Sequence, residues 1–222
     1  MQTVSFKAGG KTAELYFSGS DSRLIVLNTF EQEGGRIAQM LENTGENAAL
    51  LVVSGLDWNC DMSPWECGAL YKNDEPFSGG ADSYLELLTG EILPRAEEIL
   101  QGKSAVTGIA GYSLAGLFAL YALYRCDVFD RAASVSGSLW FPGFREFAQQ
   151  NEMRKKPVKL YLSVGDREAK TRNRLLSSVQ ENTEALAEHW RRKGIDVTFE
   201  LNEGNHFKDA QLRTFKGITA LL

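Results

Sequence analysis

The sequence is poor in the residues that build metal centres and disulfide frameworks. Only two histidines, His189 and His206, and three cysteines, Cys60, Cys67 and Cys126, occur among 222 residues. Two imidazoles exclude a His-rich metal site, and Cys60 and Cys67 have neither CxxC spacing nor a nearby histidine for zinc. No metal or cofactor is therefore expected, and an odd cysteine count fits reduced thiols. Positive charge is also short: 24 Lys and Arg stand against 29 Asp and Glu, a net charge of -5. That balance argues against a phosphate-backbone partner, so nucleic acid is not expected. No run approaches the ~20 apolar residues of a membrane span. Residues 1–10 show neither a basic nor an apolar leader region, so the reading is a cytoplasmic chain without membrane contact. Proline is scarce, at five residues, and no Pro/Ser-rich linker, repeat or low-complexity tract occurs. With 43% hydrophobic residues and a usual ~100 to 200 residues per domain, residues 1–222 read as a single domain with a sizeable core.

What is present alternates between two periods. Short β-branched or apolar runs cover 3–6, 12–17, 23–27, 48–54, 105–110, 132–135, 159–164 and 197–201. The first two, joined by Ala8-Gly9-Gly10-Lys11, predict an antiparallel hairpin. The others are separated by helix-compatible sequence, which predicts an α/β fold: a mostly parallel central sheet of about eight strands with helices on both faces. Expected helices include one through Ile37 to Leu41 and one capped by Asp82 or Ser83, kinked or restarted at Pro94. An all-round apolar helix is expected over 114–124, an amphipathic one over 174–193 ended by Gly194, and a final one over 207–222. Residues 55–80 are a long, weakly structured stretch, the kind of loop that carries function.

The strongest local signal is Val106-Thr-Gly108-Ile-Ala-Gly111-Tyr112-Ser113-Leu114-Ala115-Gly116. A strand running through small residues around one serine into an apolar helix has the mechanics of a nucleophile elbow, which pushes the serine out at the sheet's carboxyl edge. The pattern is GxSxA, with Ala115 in place of the last glycine. Helix capping by Ser113 is the structural alternative. The spacing of Gly108, Gly111 and Gly116 does not fit a dinucleotide fingerprint, and Gly102-Lys103-Ser104 precedes its strand and so cannot form a phosphate loop.

A serine hydroxyl needs a base. His189 lies in a charged helix ending His-Trp-Arg-Arg-Lys and reads as a surface residue. His206, in Glu203-Gly-Asn-His206-Phe207 after a strand, lies at the same edge as Ser113. An orienting carboxylate is expected between them in sequence, and Asp166 and Glu168, in the loop after 159–164, are both candidates.

Four motifs in order, Gly111-Tyr-Ser-Leu-Ala-Gly116, Ser134-Val-Ser-Gly-Ser-Leu-Trp140, Val164-Gly-Asp-Arg-Glu168 and Gly204-Asn-His206-Phe, resemble the esterase D and enterochelin esterase-like branch of the α/β-hydrolases. The resemblance spans nearly the whole chain. It implies an α/β-hydrolase fold without a large lid domain, and it maps the acid best onto Glu168, with Asp166 second. It also implies an oxyanion hole from the Leu114 N–H and a backbone N–H at Thr29 or Phe30, in a loop lacking an HGGG-type run. Tyr112, Trp58, Trp65, Trp140, Tyr71 and Phe77 are candidate linings of an aromatic cleft.

The expected function is a serine hydrolase of small carboxylic esters. Ser113 is the nucleophile, His206 the base and acid, and Glu168 the orienting carboxylate. The alternatives are a non-catalytic binding protein on the same scaffold, and an acyltransferase or amidase using the same triad. The sequence assigns neither an oligomeric state nor a particular ester.

Overall fold

The computed structural model describes residues 1–19, 23–30, 33–102 and 104–222. The chain forms two compact units, Met1–Gly108 with Leu222, and Ile109–Leu221.

In the first unit, β1 (Gln2–Ala8) and β2 (Lys11–Phe17) pair antiparallel around Gly9 and Gly10. Both glycines have positive φ, 53° and 78°, as the tight primed turn demands. Strands β3 (Arg23–Asn28) and β4 (Ala49–Ser54) pair parallel, β2 pairs antiparallel with β4, and the order is β1-β2-β4-β3. Along β2, Ala13, Leu15 and Phe17 point inward at the period of two that a one-sided strand requires. Helix α1 (Gly34–Glu42) begins three residues before Ile37. A Cβ at Gly34 would lie 2.5 Å from Val52, so glycine lets the helix start against the sheet.

The 55–80 stretch has more structure than expected. It contains α2 (Trp58–Asp61) and a small ribbon of β5 (Glu66–Cys67) with β6 (Phe77–Ser78). Helix α3 (Ala81–Leu87) is entered through Gly80 with no side-chain cap, so Asp82 and Ser83 occupy its first turn and do not cap it. The helix restarts at Pro94, which stands in the first turn of a new α segment. A π turn over Leu88–Ile92 precedes α4 (Leu93–Ile99), whose first turn tolerates the missing proline N–H.

β7 (Val106–Tyr112) opens the second unit with its last residues, followed by α5 (Leu114–Arg125), β8 (Arg131–Val135) and α6 (Phe144–Gln150). Then come β9 (Lys159–Gly165), α7 (Val179–Arg192), β10 (Asp196–Asn202) and α8 (Ala210–Leu221). The order is β7-β8-β9-β10, with β8 and β10 flanking β9 in parallel register. Every residue of α5 from Leu114 to Tyr124 is buried, which matches its all-round apolar sequence. Helix α7 buries Val179, Thr183, Leu186, Ala187 and Trp190, one stripe at helical spacing, and Gly194 at φ 74° follows it.

Two helix starts differ from expectation. A 3-10 turn at Leu176–Ser178 precedes α7 and leaves Leu175 outside it, while α8 begins at Ala210. Between β8 and β9 the chain carries the single short helix α6 and no lid domain. The fold is therefore an α/β one with mostly parallel strands. Among the described residues, no helix is long and apolar enough to cross a membrane.

Candidate active site

Ser113 sits at the junction of β7 and α5 with φ 59° and ψ -123°, a conformation that costs a non-glycine residue about 1 to 3 kcal/mol. The surroundings hold it there. Its N–H donates to the Val135 carbonyl, and its own carbonyl accepts from the N–H groups of Gly116, Leu117 and Ser138. Close approach of the strand end to the helix depends on glycine. A Cβ at Gly111 would lie 2.3 Å from the Ala115 carbonyl carbon, and one at Gly116 would lie 3.0 Å from the Gly111 carbonyl oxygen. Ala115, fully buried, fills the place where the usual motif has its last glycine. Ser113 makes no side-chain cap for α5, so its hydroxyl is turned to other partners.

Those partners come from distant loops. His206 Nε2 lies 3.1 Å from Ser113 Oγ, and His206 Nδ1 lies 2.7 Å from Glu168 Oε2. With Glu168 ionised, Nδ1 carries the proton and donates to the carboxylate, so Nε2 accepts from the serine hydroxyl. Burial pushes the Glu168 carboxyl up, but the hydrogen bond and charge of His206 and the Gly165 N–H outweigh it and hold it below the usual range. Gly165 N donates to Glu168 Oε1 at 2.6 Å.

Asp166, the other candidate acid, is engaged elsewhere. Its Oδ1 accepts from the Gly204 N–H at 2.7 Å, a bond that holds its pKa down. Arg167 N–H donates to the Gly204 carbonyl and Asp166 N–H to the Asn202 carbonyl, so the acid loop and the histidine loop are stitched along their backbones. Gly165 permits this, because a Cβ there would lie 2.3 Å from the Gly204 carbonyl oxygen.

Several side chains occupy places the sequence did not indicate. Ser138, buried beside Ser113, brings its Oγ to 3.3 Å from Ser113 Oγ. The sequence flagged it only as part of the Ser134–Trp140 motif. Arg213 of α8 is nearly fully buried and reaches Glu168 Oε1 at 3.3 Å, Ser136 Oγ at 3.2 Å and the Glu203 carbonyl at 2.9 Å. Nothing in its local sequence set it apart from the surface arginines. Phe207, 84% exposed, stands edge-on to the imidazole with ring centroids 5.3 Å apart.

Other expected site residues are placed differently. Tyr112, taken as a substrate contact, donates its hydroxyl to the His206 carbonyl at 2.5 Å and packs its ring 5.3 Å from the imidazole. It holds the histidine loop, and burial pushes its phenol pKa up. Thr29, taken as an oxyanion donor, gives its N–H to the Val53 carbonyl at 3.0 Å, because the β3–β4 pairing runs one residue past the strand. Trp140 is buried, 8% exposed, and tilted against Phe141; Phe77 is buried likewise, as core residues would be. Trp58 is half-buried in edge contact with Phe30, Trp65 is half-buried, and Tyr71 is exposed. His189 is not the solvated residue expected: it is half-buried, its Nε2 has no hydrogen-bond partner among the described residues, and burial pushes its pKa down. Leu114 occupies the first position of α5, where its N–H has no intrahelical acceptor.

A search of curated sequences finds no match. Among solved structures, the chain is similar to an IroE-like serine hydrolase from Shewanella oneidensis, with TM-score 0.81 and 16% identity over 98% of this chain and 78% of that one. It is also similar to the siderophore hydrolase EstB from Aspergillus nidulans, with TM-score 0.74 and 16% identity over 100% and 94%. The BES protein from Bacillus cereus matches with TM-score 0.70 and 17% identity over 99% and 95%. At such identities the likeness concerns the fold. The sequence profile of the family described as "Putative esterase" matches residues 8–215. The chain thus belongs to this esterase family, carboxylic ester hydrolases of the α/β-hydrolase type.

Proposed function

We propose that the protein hydrolyses small carboxylic esters through an acyl-enzyme on Ser113, in one α/β-hydrolase domain spanning residues 1–222. One observation carries the reading: the continuous chain from Glu168 Oε2 to His206 Nδ1, 2.7 Å, and from His206 Nε2 to Ser113 Oγ, 3.1 Å. Ser113 Oγ attacks the acyl carbon as its proton passes to His206 Nε2, and the carbonyl π electrons move onto oxygen. The Leu114 N–H, at the positive end of α5, faces the developing oxyanion. The tetrahedral intermediate collapses, the C–O bond to the alcohol breaks, and His206 returns the proton to the departing alkoxide. Water then repeats the sequence on the acyl-serine and frees the acid. Glu168 stabilises the imidazolium that forms at each transfer.

The test is covalent labelling. A fluorophosphonate probe is expected to modify one residue per chain, with the adduct on the peptide containing Ser113 by mass spectrometry. An intact protein that takes up no probe, or takes it at another residue, refutes the reading.

The two carboxylates are separable. Glu168→Gln is expected to lower kcat by roughly 10^3-fold or more, because the amide favours the wrong imidazole tautomer. Asp166→Asn keeps an acceptor for the Gly204 N–H and is expected to stay within about tenfold of wild type. Steady-state kinetics on p-nitrophenyl acetate measures both.

Phe207 bounds the alcohol side, since the departing oxygen must lie against His206. Phe207→Ala is expected to lower kcat/KM about three- to tenfold for aryl-alcohol esters, the worth of one aromatic contact, and to leave methyl esters unchanged. A matched series of acetate esters checks this.

A further inference from the structure

Arg213 is the one arginine of the described residues whose side chain is both buried and bonded to the candidate acid. Both it and Glu168 are 3% exposed at the side chain. Taking a guanidinium out of water costs several kcal/mol unless its donors are met, so a buried arginine needs partners. Here they are three groups on three loops. Glu168 belongs to the loop after β9, the Glu203 carbonyl to the loop carrying His206, and Ser136 to the loop after β8 that leads to Ser138. The carboxylate divides its two oxygens: Oε1 takes Arg213 and the Gly165 N–H, and Oε2 is left for His206.

We infer that Arg213 is a positioning residue for the reaction: it fixes Glu168 with Oε2 toward His206 and, by its charge, limits how strongly Glu168 retains a proton on the imidazole. This rests on the Ser113–His206–Glu168 reading and extends it. A buried carboxylate stabilises an imidazolium beside it. A fixed cation on the carboxylate's far oxygen favours the neutral imidazole between proton transfers. The planar fork also ties together the acid and histidine loops, which a point charge would do less well.

Other charged groups around the pair lie further out or are already paired. Asp166 is bonded to the Gly204 N–H, Glu203 is paired with Lys208, and Arg167 and Lys170 lie on the acid loop. The Tyr112 hydroxyl is on the His206 carbonyl.

Because the chain has two histidines, imidazole NMR can follow His206 directly, with His189→Gln assigning the second signal. The titration midpoint of His206 is read in wild type, Arg213→Met, Arg213→Gln, Arg213→Lys and Glu168→Gln, beside kcat and KM. Removing the cation is expected to move the midpoint up by about half a unit to one unit in the Met and Gln variants. Lysine is expected to return it to the wild-type position. Glu168→Gln moves it the opposite way, downward, because imidazolium loses its partner. In rate terms, Arg213→Met is expected to lower kcat about tenfold or more with KM within about twofold, and Lys to recover part of the loss.

A midpoint that stays put or falls in both neutral variants overturns the inference, as does a lysine variant that titrates like methionine. If Arg213→Met does not fold, Arg213→Gln, which keeps donors for Ser136 and Glu203, decides the matter. The triad reading fails separately, by an unaltered His206 midpoint and unaltered kcat in Glu168→Gln.

Discussion

Ser113→Gly is expected to abolish turnover and to make the protein more stable. The loss follows from the proposed mechanism: without Oγ no acyl-enzyme would form, and removal of a triad nucleophile lowers kcat by roughly 10^4-fold or more, leaving only what binding and the oxyanion donor supply. The gain follows from the backbone. Ser113 is held at φ 59° and ψ -123°, with its N–H and C=O bound to Val135, Gly116, Leu117 and Ser138. Glycine occupies that region without a Cβ penalty, so the strain of about 1 kcal/mol or more is released while the hydrogen bonds remain. Ser113→Ala keeps the strain and is expected to lose the same activity with a melting temperature near wild type. The glycine variant should melt about 2 to 4 °C higher for a chain of this length. Equal melting temperatures for the two variants would show that the elbow stores no strain. Residual turnover within tenfold of wild type in either would remove Ser113 from the mechanism.

Gly111→Ala carries the second large effect, on the same turn from the other side. The added methyl would lie 2.3 Å from the Ala115 carbonyl carbon, 2.4 Å from its oxygen and 2.6 Å from its Cβ. Real Cβ atoms do not approach backbone so closely, so the first turn of α5 must move away from β7. Overpacking of this kind costs about 1 to 3 kcal/mol, and backbone here cannot rotate aside as a side chain does. The shift also carries Ser113 and the Leu114 N–H away from His206. A displacement near 1 Å is enough to lower kcat roughly 100-fold. Gly68→Ala is the control, because no atom lies within 4 Å of its added Cβ. Denaturant melts and kinetics on the two variants measure both consequences, and a Gly111→Ala protein with wild-type stability would refute the close-packing account.

How much of this was legible in the sequence depends on the range of the interaction. The hairpin of β1 and β2 was legible because Gly9-Gly10 supplies two positive φ angles between alternating strands. The buried character of α5 followed from eleven successive apolar or small residues, 114–124. The elbow was visible because its small residues answer to contacts within five positions, between Gly111, Ala115 and Gly116. Pro94 shows the limit even locally: a restarted helix is what the proline predicts and what α4 does, but nothing in the spacing indicates the π turn over Leu88–Ile92 that precedes it.

The sequence by itself determined which residues were available for chemistry. With two histidines, and one of them inside a helix, His206 was the one candidate base left for Ser113. Tertiary structure decided who meets whom. Asp166 and Glu168 share a loop and a charge, and only the stitched backbones of that loop and the one at 203–206 turn Glu168 to the imidazole and Asp166 to Gly204. Thr29 lost its donor to one extra strand hydrogen bond, and Trp140 went to the interior. Arg213, 45 residues from Glu168, left no local trace. A turn is set by sterics among neighbours, which composition and spacing record. A buried charge is set by partners that the chain brings together only after folding, and spacing carries no information about them.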